Sequence, residues 1–139
     1  MEFRRVLFRS PPSVPLRTFK GALGWPVAGR VLNSFTGGRT GIDIAALQSA
    51  NVTAVHAGTV NFASTFSGFG TLVILDHGEG YYSLYGYLAD TDLAQGDRVE
   101  AGDVVGHVGL PPSGPSALYF EMRVDGQPVD PLQWLRVRP

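Results

Sequence analysis

The stretch Ser116-Ala117-Leu118-Tyr119-Phe120-Glu121-Met122-Arg123-Val124 decides the fold. Read at a period of two, it separates into two faces. Leu118, Phe120, Met122 and Val124 are uniformly apolar and predict a strand laid against a core. Ala117, Tyr119, Glu121 and Arg123 face the other way, towards a surface or a cleft. The turn that follows, Asp125-Gly126, is a strong two-residue hairpin signal. Beyond it, Pro131-Leu132-Gln133-Trp134-Leu135 reads as an apolar plug closing the domain.

Working outward, the rest of the chain repeats this grammar. Ile42 and Ile44 alternate with Asp43 in Gly41-Ile42-Asp43-Ile44-Ala45-Ala46, and Val52 to Val55 and Val60 to Ala63 are further short strands. Thr71-Leu72-Val73-Ile74-Leu75 is a continuous apolar run of strand length, expected to be buried on both faces. Thr65 to Gly70 reads as a glycine-punctuated loop carrying Phe66 and Phe69. Tyr81 to Leu88 reads as the returning hairpin strand, with Ser83, Tyr85 and Tyr87 expected on one face and Tyr82, Leu84 and Leu88 on the other. Gly96 to Gly109 alternates glycine turns with Val-rich strands. No segment holds a helical period. The expected class is all-β, antiparallel, with little helix. Residues 1–18 are expected to be a non-native or disordered leader, and residues 19–139 the domain.

Composition narrows the function. A chain of 139 residues with 44% hydrophobic content can bury one core. Its formal net charge of -1 argues against nucleic acid as partner, because binding phosphates takes a basic excess. No apolar run reaches the ~20 residues that span a bilayer. With no cysteine, thiolate metal sites and thiol nucleophiles are excluded. The three histidines, His56, His77 and His107, have no spacing that gathers imidazoles on one face, and read as hydrogen-bonded structural residues. No serine sits in a G-x-S-x-G elbow. The Gly96 to Gly109 stretch looks like a lipoyl-type hammerhead, but the only lysine, Lys20, is far from any such hairpin tip.

From about Gly24 onward the chain resembles the lysostaphin-like, or LytM, metallopeptidase fold, a barrel-sandwich hybrid with lipoyl-like hairpins. The residues carrying the likeness are Gly41 to Ala46, Val55 to Val60, Leu84-Tyr85-Gly86-Tyr87-Leu88, Gly96 to Gly109 and Leu118 to Arg123. Active members of that family hold zinc with a His-x-x-x-Asp pair and the second His of a His-x-His strand. The resemblance puts Asp43 at the aspartate, Arg39 at the first histidine, Ala117 and Tyr119 at the His-x-His pair, and Tyr87 at the remaining catalytic histidine. It thus implies neither metal nor cofactor, and no catalysis. An arginine cannot coordinate, since its guanidinium stays protonated.

Loss of these histidines on a kept scaffold resembles the EnvC-type murein hydrolase activators. Trp25-Pro26-Val27, Gly29-Arg30, Ser67-Gly68-Phe69-Gly70, Asp76-His77-Gly78-Glu79-Gly80, Ser83 to Tyr87 and Leu118 to Arg123 all resemble that group. The resemblance implies binding and activation of a periplasmic N-acetylmuramoyl-L-alanine amidase during cell-wall splitting at division. Export follows from it, with the signal and coiled-coil region expected outside this chain. The partner-binding positions it implies are Arg39, Thr40, Asp43, Phe69, Tyr87, Tyr119 and Arg123. That group usually has a lysine at Thr40 and an apolar residue at Asp43. Tyr and Arg are also the types enriched at interface hot spots, and strand parity groups Tyr85 with Tyr87 in that patch. Two alternatives stay open: a peptidoglycan-binding module without an amidase partner, and an active zinc murein endopeptidase.

Overall fold

The computed structural model describes residues 12–138, and these form ten strands and two 3-10 turns, Leu16–Phe19 and Pro131–Gln133. In chain order the strands are β1 (Val31–Asn33), β2 (Ile42–Ala45), β3 (Asn51–Thr53), β4 (Gly58–Phe66), β5 (Gly70–Asp76), β6 (Tyr81–Asp90), β7 (Arg98–Val99), β8 (Val104–Val108), β9 (Ala117–Val124) and β10 (Gln127–Val129). All strand pairs are antiparallel, in the order β1-β2-β9-β6-β5-β4-β7, with β10 on β9 and β8 joining β6 to β3. This is the all-β architecture that the alternation predicts.

The opening stretch is the central strand β9. One edge of it pairs with β2 and β10, the other with β6. Leu118, Phe120 and Met122 are wholly buried among Ile42, Ile44, Val73, Leu75 and Tyr85. Val124 packs at the margin of that core. Asp125 and Gly126, at φ 52° and 81°, supply the two left-handed residues that a twisted two-residue hairpin needs. Trp134 and Leu135 close the core as expected, with Leu135 bridging Leu23 in parallel.

Two boundaries differ from expectation. The Thr65 to Gly70 loop is shorter than expected, because β4 runs through Phe66 and β5 starts at Gly70. At the N-terminus, residues 12–18 of the expected leader pack on the domain. Leu16 is 1% exposed in the core, and Arg17 pairs with Glu79 at 2.9 Å. Residues 1–11 lie outside the described residues.

The larger departure is in β6. Thr71 pairs with Leu88 and Val73 with Tyr85, so Gly86 and Tyr87 together oppose Leu72. An extra residue in one strand is a β-bulge, and it reverses facing beyond it. Tyr87 takes φ 61° to accommodate it. Tyr85 therefore points into the core, fully buried, while Tyr87 turns to the opposite side. The shared face expected for Tyr85 and Tyr87 does not exist, and Tyr85 is no part of any surface patch.

The histidines are structural, as read. His107 Nδ1 lies 2.6 Å from Asp90, and His56 Nε2 donates to the Val14 carbonyl at 2.8 Å. His77 Nδ1 donates to the Ala57 carbonyl at 2.8 Å, and its Nε2 lies 2.7 Å from Ser83 Oγ. The Ser83 hydroxyl continues to the Tyr85 phenol at 2.8 Å, which accepts from Val55 N–H at 3.1 Å. Burial, aided by His56, pushes His77 down to about 4. The folded state thus holds His77 neutral, while the unfolded chain protonates near pH 6.5. This contribution to stability is complete above about pH 6.5 and is lost as pH falls towards 4, by about 3 kcal/mol. Urea unfolding between pH 7 and 4 checks it: His77→Gln is expected to flatten the pH dependence in that window.

Candidate functional site

The face of β9 opposite the core is not open. Ala117, Tyr119 and Glu121 are 2%, 5% and 3% exposed, and only Arg123 on this face is half-exposed. Residues 40–41, before β2, and the β4–β5 turn close over it. Gly41 leaves space that a Cβ would not: it would stand 2.6 Å from the Phe120 carbonyl and 2.8 Å from the Tyr119 ring. The expected surface is therefore the floor of a cleft.

Tyr119 is the centre of that floor. Its hydroxyl donates to Glu121 Oε1 at 2.6 Å and lies 2.7 Å from Thr40 Oγ1. Since the phenol proton goes to the carboxylate, Thr40 donates to Tyr119. The other oxygen of Glu121 accepts from Arg123 Nε. A buried glutamate between a phenol and a guanidinium fixes both side chains, as charge-assisted hydrogen bonds do. Glu121 is the residue that sequence reasoning missed, because an acid at an alternating strand position reads as exposed. The Tyr119 phenol is pushed well above its ordinary range, by burial first and by Glu121 second. Glu121→Gln is expected to move its ionisation to lower pH, measured as tyrosinate absorbance. Glu121→Ala, which leaves Tyr119 and Arg123 without their acceptor, is expected to cost about 1–3 kcal/mol in urea unfolding.

The aromatic wall follows from the bulge. Phe69, in the β4–β5 turn, stacks on Tyr87 with centroids 5.9 Å apart and lies 5.0 Å from Tyr119. Gly86 leaves room for this, since a Cβ there would meet both the Phe69 and Tyr119 rings. Phe66 continues the row to Phe69, and Phe62 packs edge-on against Phe66. Next to Tyr119 a cavity of about 570 Å³ opens, lined by Phe62, Phe66, Phe69, Leu72, Ile74 and Leu84.

At the other side, Arg39 Nη2 donates to Asp43 Oδ2 at 2.8 Å, and Asn33 donates to the same oxygen at 2.8 Å. Asp43 Oδ1 is buried without a hydrogen-bond partner among the described residues. The Tyr87 phenol is pushed up by burial first and the Asp43 carboxylate second, with Arg39 opposing. The structure thus brings Arg39, Thr40, Asp43, Phe69, Tyr87, Tyr119 and Arg123 to one cleft.

Residues 37–131 match the sequence profile of peptidase family M23. The chain belongs to peptidase family M23. Its M23 fold is similar to the catalytic domain of lysostaphin from Staphylococcus simulans, at TM-score 0.64 and 25% identity over 84% of this chain and 92% of that one. Among curated M23-type relatives, the murein hydrolase activator EnvC of Escherichia coli is 35% identical over 84% of this chain and 29% of its own length. A lipoprotein NlpD/LppB homolog of Pseudomonas aeruginosa is 37% identical over 83% of this chain and 40% of its own. The chain therefore spans well under half the length of these relatives.

Zinc is the metal implied for active M23 members, and a catalytic zinc needs three protein ligands. An orphaned carboxylate oxygen such as Asp43 Oδ1 is what a cation would satisfy. Its neighbours are a guanidinium and phenols whose ionisation is pushed upward, which are not zinc ligands at neutral pH. Among the described residues no three His, Cys, Asp or Glu side chains converge. The donor set does not fit zinc.

Proposed function

We propose that this M23 domain is a non-catalytic module that binds and activates a cell-wall hydrolase, specifically an N-acetylmuramoyl-L-alanine amidase, in the periplasm at division. The observation that carries this reading is a cleft that gathers Tyr119, Tyr87 and Arg39 where the metallopeptidase resemblance implies histidines. Its likeness to proteins named murein hydrolase activators supports the same role, as does a lipoprotein among its relatives for an envelope location. Tyr, Phe and Arg around a pre-formed apolar pocket are the composition of a protein-binding hot spot. The partner-binding residues in this reading are Arg39, Thr40, Asp43, Phe69, Tyr87, Tyr119 and Arg123.

Release of dye from labelled peptidoglycan by a purified amidase, with and without this domain, tests the proposal. Stimulation is expected with amidase present and no release by the domain alone. Release by the domain alone would restore the endopeptidase reading. Sedimentation with cell wall, but no stimulation of any envelope amidase, would leave the peptidoglycan-binding module.

A further inference from the structure

The two arginines of the cleft are built alike. Arg39 is held by Asp43 and Arg123 by Glu121, and in each pair the carboxylate is the more buried member. Side-chain exposure is 13% for Asp43 and 3% for Glu121, against 36% for Arg39 and 38% for Arg123. The anions lie deep and the cations lie at the opening.

A guanidinium carries five N–H donors in one plane. Among the described residues, Arg39 uses Nη2 on Asp43 and Nε on the Gly41 carbonyl at 3.4 Å, and Arg123 uses Nε on Glu121. Each keeps free donors on an anchored, half-exposed plane, already oriented for a second acceptor. An incoming cation has no such offer. Both Glu121 oxygens are engaged, Asp43 Oδ2 already accepts twice, and Asp43 Oδ1 is buried.

Register sets the spacing. Asp43 is opposite Tyr119, two residues before Glu121 on β9. The two anchoring carboxylates are thus about 7 Å apart along β9, on neighbouring strands. The apolar cavity walled by Phe62, Phe66, Phe69, Leu72 and Ile74 also reaches Arg123 and Thr40, the neighbour of Arg39.

We propose that the cleft recognises an acidic protein segment: two carboxylates, one on Arg39 and one on Arg123, with a neighbouring apolar side chain seated in the cavity. A planar guanidinium bridging a buried and an incoming carboxylate gives orientation as well as attraction. This rests on the activator reading, whose partner it describes.

The test has two arms. In the first, amidase stimulation is titrated with the wild-type domain and with Arg39→Gln and Arg123→Gln, each checked for native thermal unfolding. About tenfold higher half-saturating concentrations are expected for each variant, rising salt is expected to weaken the wild type, and Arg→Lys at either position is expected to recover only part. Stimulation by both Gln variants at wild-type concentrations overturns the proposal and leaves the activator reading intact. The second arm stands without any amidase. It measures fluorescence anisotropy of synthetic extended peptides with two Glu, two Gln or two Lys flanking a central Leu, at separations of two, three and four residues. The Glu peptide is expected to bind at least tenfold more tightly than the Gln peptide, with the Lys peptide weaker still. Equal binding of Glu and Gln peptides, or none, overturns the proposal. So does arginine-dependent sedimentation with cell wall that the Glu peptide does not compete.

Discussion

Phe120→Ala is expected to cost the domain about 3–5 kcal/mol, roughly a fifth or more of the ~5–15 kcal/mol that holds a typical domain folded. The ring is wholly buried at the middle of β9, where Ile42 of β2 pairs with it on one side and Tyr85 of β6 on the other. It packs 5.4 Å from the Tyr85 ring, whose own hydroxyl is tied to Ser83 and Val55. Neither neighbour can move in without breaking strand pairing or that hydrogen-bonded chain, so the cavity stays open. Cost rises with the volume left unfilled, which places this site at the upper end of the range. Phe120→Leu, which keeps most of the volume, is expected to cost less than ~1.5 kcal/mol. Urea midpoints for the two variants measure the difference. A near-native midpoint for Phe120→Ala, with Arg123→Gln unfolding instead, would mean that the faces of β9 are reversed.

That inner face was legible because alternation over four apolar positions has one physical outcome in a strand packed on one side. The outer face was not, and the reason is particular. Alternation says which residues share a side, but not whether something else covers that side. Here Gly41 and the β4–β5 turn close over Tyr119, and Glu121 is satisfied within the closure rather than by water. The polar character of Glu121 thus marks an internal hydrogen-bonding role, not exposure. Tyr119 itself belongs to the floor, so Tyr119→Ala removes packing as well as any partner contact and is a poorer test of binding than the half-exposed residues around it. The misplacement of Tyr85 has a different cause. Parity holds only while a ladder is regular, and the bulge at Gly86-Tyr87 puts two tyrosines two residues apart on opposite faces. A glycine inside an aromatic strand was the available signal, since it commonly marks a bulge or a close approach. The bulge also makes the site: without it Tyr87 would enter the core and Phe69 would have no ring to stack on.

Phe69→Ala is expected to lower hydrolase activation about 30-fold, as loss of an interface hot spot worth ~2 kcal/mol does, while the domain stays folded. Phe69 is half-buried in a turn, outside the core, and its ring lies against those of Tyr87, Tyr119 and Phe66. Its backbone is held independently: its N–H donates to the Phe66 carbonyl at 2.9 Å, and its own carbonyl accepts from Tyr87 N–H at 2.7 Å. Truncation therefore leaves the turn in place and removes only the ring that joins the cleft floor to the exposed aromatic row. Its expected cost to folding is the loss of ring pairs, each about 0.5–1.5 kcal/mol, well short of unfolding. Dye release from labelled peptidoglycan by a stimulated amidase, with a melting curve on the same sample, reads both quantities. Phe69→Leu should lie between the two, since it fills part of the cavity without stacking. Native potency in Phe69→Ala would remove the aromatic row from the partner interface and leave the two arginines as its principal contacts.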